Sequence, residues 1–482
     1  MIIISYLKKN YLLLSFILVY TIFAIIVSLN RHWQYSTFYL DLGIFDQAIW
    51  RVSRFHLPIV DHTIISGKLI FADHFNPSIF LLSPLYWFTD KTEILLIFQA
   101  VCAGISAIVL YNLGFFLLPA KKFLVSSLIV AYLGYIGLQN ALITDFHEAT
   151  IAILPISLIF WAIFKKKLIL FWLMLIIILG LKESMAGLGI GIGFFLIFKE
   201  KPERLKGILT IAISFIWGIL AIKVIIPYFS GGRYYYDAHY PGSLKELITL
   251  MISPPIKVKT MLVSFVTFIF LPLSYFPLLP AIFENFFERF VLIASPTRWD
   301  LGLHYNAPLS PLLFIASLLS VIKYKIFQKI PHHTIILPLI IIFTVLILHR
   351  FILHGPLGLA YNPVFYRITK DNAFINDFID KIPRDGLLMT QQNFATRFTH
   401  NCVLMLKTDY QKYDPDYVAL DLREGQNPTN FYPISENDAR NLFVQLKNDN
   451  RYTLKTYSLK LNLFTKIERN KNPHFYCDDG KS

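Results

Sequence analysis

Charge is what this chain has least of. Only 16% of its 482 residues are Asp, Glu, Lys or Arg, where a soluble domain carries roughly a quarter. Acidic residues are the thinner part of that charge, 31 against 45 Lys and Arg, for a formal net charge of +14. Cysteine is scarcer still: three in the whole chain, which excludes a disulfide-dense secreted scaffold. No internal repeat is visible, and no His-Glu-x-x-His zinc motif occurs. Apolar residues fill the space instead. Hydrophobic residues make up 55% and aromatics 16% of the chain, with 43 Phe and 26 Tyr, and the mean hydropathy is +0.54. Such a composition excludes a disordered chain and an ordinary soluble enzyme. It points to a mainly α polytopic membrane helix bundle.

A helix needs about 20 mostly apolar residues to cross the hydrocarbon core. Runs of this kind, several of them short, cover residues 11–29, 94–118, 123–140, 149–164, 168–181, 185–198, 207–229, 260–275, 280–294, 308–322 and 334–348. They predict about eleven spans. The first follows Lys8 and Lys9 like a signal sequence, but no small-residue cleavage site comes after it, so it reads as a retained anchor. With the N-terminus cytoplasmic, the inner loops hold Lys121 and Lys122, Lys165 to Lys167, Lys199, Lys201, Arg204 and Lys206, then Lys323, Lys325 and Lys329. The segment 145–148 on the other side has no basic residue. This alternation follows the positive-inside rule, so the basic surplus marks orientation rather than a nucleic-acid partner.

An odd number of spans leaves the tail outside. The expected division is a membrane part over 1–349, with a long first outer loop at 30–93, and an extracytoplasmic α/β part over 350–482. In that tail, 372–382 has helical apolar spacing. Residues 387–390, 403–406 and 417–420 look like short strands, Ser435 with Asp438 like a helix N-cap, and 452–467 like a strand pair. Cys102 sits inside a span and suits core packing. Cys402 and Cys477 both fall in the outer part, either bridged or as two free thiols.

Ionisable and aromatic residues gather on the predicted outer side. The first outer loop reads Asp41-Leu42-Gly43-Ile44-Phe45-Asp46-Gln47-Ala48-Ile49-Trp50, as in a helix along the membrane interface. Asp41 and Asp46 are five apart, so on a helix they diverge by about 140°. One is expected to face a cavity and the other to cap or orient; alternatively Asp41 is simply an N-cap. Then comes Asp73-His74-Phe75-Asn76-Pro77, followed by an apolar half-span at 78–88, read as interfacial or re-entrant. Further on are Asp145-Phe146-His147-Glu148, the pair Lys182-Glu183, the group Arg233, Tyr234, Tyr235, Tyr236, Asp237 and His239, and the group Arg298, Trp299, Asp300, His304 and Tyr305. Lys182-Glu183 is either a functional pair or a self-neutralising one at the membrane rim. Gly189, Gly191 and Gly193 in one span suit close helix packing.

These motifs, with His304-Tyr305-Asn306-Ala307-Pro308 and the tail's Ile382-Pro383 and Asp416-Tyr417-Val418-Ala419-Leu420-Asp421, carry a resemblance. The chain resembles the GT-C superfamily of membrane glycosyltransferases, and within it a family of predicted bacterial and archaeal membrane proteins. The resemblance implies transfer of a sugar from a polyprenyl-phosphate donor to a glycan, lipid or protein acceptor on the extracytoplasmic face, with inversion. It implies Asp41 as general base. Leu42 stands where a second acidic residue is usual, and Asp46 is the candidate substitute. The leaving phosphate needs cationic or hydrogen-bond donors, for which Arg298, Arg233, Lys182, His304 and Tyr305 are the candidates. His74, His147, Glu148 and Glu183 are candidates for the acceptor side or cavity wall. The cofactor is unknown: a divalent cation stays open, without a ligand motif to support it. A transporter or flippase of lipid-linked sugars, or a non-catalytic sensor or scaffold, is the alternative.

Overall fold

The computed structural model describes residues 2–62, 67–236, 238–293, 295–324, 333–355, 370–457 and 460–468. Asp237 and Cys477 lie outside the described residues, and with Cys477 the choice between a bridge to Cys402 and two free thiols. Among the described residues, five helices are long and apolar enough to cross a membrane: Asn10–Trp33, Glu93–Leu117, Lys201–Ser230, His304–Lys323 and Thr334–Leu353. Two bent pairs, Lys122–Gly134 with Ile136–Ile143 and Leu244–Ile252 with Pro255–Val266, raise the number to seven if each is one span. The remaining runs of the expected eleven fall short of this length or form shorter elements. The runs 149–164, 168–181 and 185–198 form apolar helices of 10–17 residues, shorter than the roughly 20 that a straight crossing requires. The run 280–294 forms only the nine-residue helix Leu279–Phe287 and a π turn at Glu288–Leu292. Hydropathy marks burial; it does not distinguish a helix buried in protein from one that meets lipid.

The helix His304–Lys323 is the bundle's centre, with 89% of its apolar window buried. Its serines are compatible with that depth because their hydroxyls donate to backbone carbonyls: Ser310 to Ala307 and Ser317 to Leu313, each at 2.7 Å, and Ser320 to Leu271 at 2.8 Å. Without water nearby, every polar group has to be satisfied this way.

The segment between the first two long helices carries no span. It holds a π turn at Tyr39–Gly43, the helix Ile44–Ser53, the short antiparallel strands β1 (Ile59–Val60) and β2 (Lys68–Leu69), and a 3-10 helix at Pro77–Trp87. The last is the half-span expected at 78–88. Trp87 donates its indole N–H to Ser53 O at 3.0 Å, clipping it to the end of Ile44–Ser53.

The C-terminal part contains the expected mix of helix and strand. Strands β3 (Leu388–Thr390), β4 (Val403–Met405), β5 (Tyr417–Asp421), β6 (Tyr452–Tyr457) and β7 (Leu461–Lys466) form one sheet in the order β4-β3-β5-β7-β6. β3 runs parallel to β4 and β5, whereas β7 is antiparallel to β5 and β6. The near-continuous apolar character of β3, β4 and β5 follows from burial on both faces. Met389, Leu404, Val418 and Leu420 join a core under the helix Glu436–Lys447, with Ala439, Leu442 and Leu446. Their alternate neighbours Leu388, Val403, Met405, Tyr417 and Ala419 join the large core shared with the bundle. Ser435 and Asp438 form the expected capping box.

Glycine decides one close contact. The helices Met185–Lys199 and Arg204–Leu220 approach so nearly that a Cβ on Gly193 would lie 2.8 Å from Gly207 O, and one on Gly207 would lie 2.7 Å from Gly193 O. Backbone cannot yield as a side chain can. Gly193→Leu is therefore expected to lower the thermal midpoint of the detergent-solubilised protein, by a cost of about 1–3 kcal/mol for an overpacked contact. An unchanged midpoint would refute the close approach.

Candidate functional site

At the end of the bundle that carries residues 38–93, six of the sequence-predicted residues meet around one cavity of about 390 Å³: Asp41, His74, His147, Lys182, Arg298 and Tyr305. They come from six separate stretches of chain, each placed by a helix end or turn. Asp41 lies in the Tyr39–Gly43 turn and makes no capping hydrogen bond, which sets the N-cap reading aside. The amides around it are held from outside: Phe38 N donates to Asp145 Oδ2 at 2.7 Å, and Leu40 N donates to Gln392 Oε1 at 2.9 Å. Burial raises the Asp41 pKa above the ordinary aspartate value, while His147 and Lys182 pull against it. Asp145 is pushed up to about 7, first by burial and then by the charge of Asp41.

Lys182 and Glu183 do not neutralise each other. Lys182 Nζ lies 3.0 Å from Glu148 Oε1, and Glu183 Oε1 lies 2.8 Å from His74 Nδ1. Burial works to discharge Lys182, but Glu148 and Glu183 outweigh it and hold the lysine pKa above its ordinary value. Glu148 also sits 2.8 Å from His147 Nδ1, and His304 stacks behind His147. Glu148, Glu183 and His304 thus stand behind the cavity wall as supports for the residues that line it.

Arg298 is almost fully buried. Its guanidinium lies 3.5 Å from Glu288 and 4.8 Å from the centre of the Tyr305 ring. Burial opposes its charge, and Tyr305 and Glu288 outweigh burial, so its pKa is raised. Its backbone is fixed by Arg289, which is fully buried. Arg289 donates to Arg298 O at 2.8 and 2.6 Å, to Asp300 O at 2.9 Å, and to the side-chain oxygens of Asn306 at 2.8 Å and Asn285 at 3.2 Å.

Two candidates lie elsewhere. Arg233 is exposed beside Tyr235, away from the cavity lining. Asp46 does not line the cavity either. Its fully buried carboxylate accepts from the hydroxyls of Tyr86, Thr92 and Thr399 and meets His400 Nε2 at 3.1 Å. Asp41 faces the cavity and Asp46 braces the loop, the division that their angular separation on a helix implies.

Asp73, Asn76 and Tyr236, which the sequence places in the outer-side motifs without a role of their own, also line the cavity. Asp73 accepts from the Tyr236 hydroxyl at 2.6 Å and sits 3.4 Å from His62 Nε2. Both polar atoms of the Asn76 side chain are buried with no hydrogen-bond partner among the described residues. Asp73 and Asn76 share a motif with His74, and Tyr236 belongs to the aromatic group at 233–239. Among the described residues, no group of three or more His, Cys, Asp or Glu stands close enough to hold a metal ion.

A family model described as "Predicted membrane protein (DUF2079)" matches residues 31–459. No curated protein gives a significant match. Among solved structures, 95% of this chain aligns with 98% of a chain in the crystal structure of ArnT from Cupriavidus metallidurans bound to undecaprenyl phosphate, at 8% identity and a TM-score of 0.48.

Two tests address the supports. Asp46→Ala leaves three hydroxyls and His400 without their acceptor, and is expected to cost about 1–3 kcal/mol for each buried donor left unsatisfied, read as a lowered denaturation midpoint. His74 is held above its ordinary pKa because Asp73 and Glu183 outweigh the effect of burial. A raised histidine stabilises fully below about pH 6.5, and that contribution is lost as pH rises through the folded-state pKa. The wild-type thermal midpoint should therefore fall as pH is raised above 6.5, and His74→Gln should flatten that slope.

Proposed function

The chain belongs to this family of predicted membrane proteins, and from its polar cavity we propose that it is a membrane glycosyltransferase, moving a sugar from a polyprenyl-phosphate donor to an acceptor at the extracytoplasmic face. The observation that carries the reading is the shared cavity: a carboxylate made more basic by burial opens into the same space as Lys182 and Arg298. Its volume of about 390 Å³ falls within the range of small-molecule sites.

In this reading, an acceptor hydroxyl attacks the anomeric carbon as Asp41 takes its proton. The bond from that carbon to the phosphate oxygen breaks, and its electron pair leaves with the lipid phosphate. The attack comes from the face opposite the leaving group, so the anomeric configuration inverts. Lys182 and Arg298 meet the charge that develops on the phosphate. Arg298 supplies a planar fork suited to two phosphate oxygens, and Lys182 a compact point charge. Glu148 and Glu183 keep Lys182 charged in a place where burial alone would discharge it. The predicted topology, with the N-terminus cytoplasmic, puts this cavity on the outer face and the lipid tail among the apolar helices.

Asp41→Asn is expected to fold normally and to lose roughly 10²–10⁴-fold in transfer, the usual contribution of a general base. Mass spectrometry of co-purified lipids should find a polyprenyl-phosphate sugar accumulating in the variant and not in the wild type. In the wild type, transfer should fall as pH is lowered through the raised pKa of Asp41, because a protonated carboxyl cannot accept the proton. Full activity in Asp41→Asn would remove Asp41 as the base. A carrier bound equally by both proteins would favour transport or binding.

A further inference from the structure

A second cavity lies beside residues 38–41. It measures about 240 Å³ and is walled by residues 34–38 at the end of the first long helix and by residues of the C-terminal α/β part. Phe38 lines this cavity, whereas Leu40 and Asp41 line the larger one. Three residues of chain span at most about 10 Å, so the two spaces are neighbours across one short turn.

Its chemistry differs from that of the first cavity. Gln34, Ser36, Asn393, Gln426, Asn427 and Asn430 contribute five amides and a hydroxyl. Gln426, Asn427 and Asn430 hold one another and the local backbone through some of these groups, and an amide carries both donor and acceptor atoms, a polarity that matches groups that themselves donate and accept. The only charged residues in the lining are Asp421 and Arg423, and they are tied to each other. Arg423 Nε donates to Asp421 Oδ1 at 3.0 Å and Oδ2 at 3.1 Å, and its Nη2 donates to Oδ2 at 2.7 Å. A phosphate therefore finds no uncommitted cation here, and an alkyl chain finds mostly amides. Asn393 is 3% exposed, and its Oδ1 has no hydrogen-bond partner among the described residues. A buried acceptor of this kind is costly unless something enters the cavity to donate to it.

We propose that this cavity binds a neutral saccharide and, resting on the transferase reading above, that the saccharide is the acceptor glycan. A sugar ring's hydroxyls can donate to the Asn393 acceptor while the rest of the ring lies against the polar wall. The adjoining turn brings the glycan's end to Asp41. The acceptor is thereby narrowed from glycan, lipid or protein to a glycan.

The test uses the full chain in nanodiscs on a printed array. The probes are neutral oligosaccharides of glucose, galactose, mannose and N-acetylglucosamine, beside sialylated and phosphorylated counterparts. Wild type should retain a neutral oligosaccharide. Asn393→Ala and Gln34→Trp should each weaken retention by about tenfold or more, as loss of one or two hydrogen bonds implies. Amide hydrogen exchange on the wild-type protein gives a second readout that needs no variant: the retained oligosaccharide should slow exchange over residues 423–430. Retention of anionic probes alone, or of none, would overturn the proposal. So would slowed exchange confined to other segments, or undiminished retention by both variants. Neutral binding without any sugar transfer would leave this assignment standing and remove the transferase reading. Transfer without such binding would do the reverse.

Discussion

Among the described residues Asp46 is buried without a lysine or arginine partner, and the loop that carries Asp41 hangs on it. Its carboxylate gathers hydroxyls from Tyr86, Thr92 and Thr399 and the ring of His400. These come from the 3-10 helix Pro77–Trp87, the approach to the second long helix, and the C-terminal α/β part. A buried carboxylate is tolerated only when its lone pairs are filled, so one side chain fastens three parts of the chain. Asp61 repeats the device, accepting from Met405 N at 2.8 Å and lying 3.1 Å from Lys407 Nζ. Arg397 makes the reverse link, donating to the backbone carbonyl of His32. The α/β part is thus clamped to the first loop by charges inserted in both directions.

That clamp allows the cavity to hold ionised groups in fixed places. Lys182, Glu148 and His147 form one run of paired ionisable groups, and Glu183, His74 and Asp73 form another. Each member is costly to bury alone and inexpensive beside its neighbours. The outcome is uneven: Lys182 is held charged, Asp73 and Glu183 are held below the ordinary carboxylate values, and Asp41 is raised above its own. Groups whose environments push their pKa values apart divide acid–base work between them. Arg289 supports the opposite wall through carbonyl oxygens and so fixes the backbone of Arg298.

Much of this was legible along the chain. The strands at 388–390, 403–405 and 417–421, the capping box at Ser435 and the helix over Lys370–Ile379 all follow local rules of period and capping. The span count was not legible. An apolar run such as 280–294 is buried by neighbouring protein as readily as by lipid, and hydropathy reports only that water is absent. Arg233 and Arg298 looked equivalent, each among aromatics in a loop. Only packing exposes one and buries the other against Tyr305.

Composition and residue order by themselves determined that the chain is an apolar helix bundle with an appended α/β part, and that its few ionisable groups are worth examining one by one. The angle between Asp41 and Asp46 on a helix already required that they face different ways. Tertiary structure decided which of the two opens into a cavity. It also decided which residues share that space, because they lie on six stretches spread over more than 260 positions, from Asp41 to Tyr305. Local propensity acts within a turn or two of chain. Charge pairing acts through space, and it selects partners only after the helices have packed.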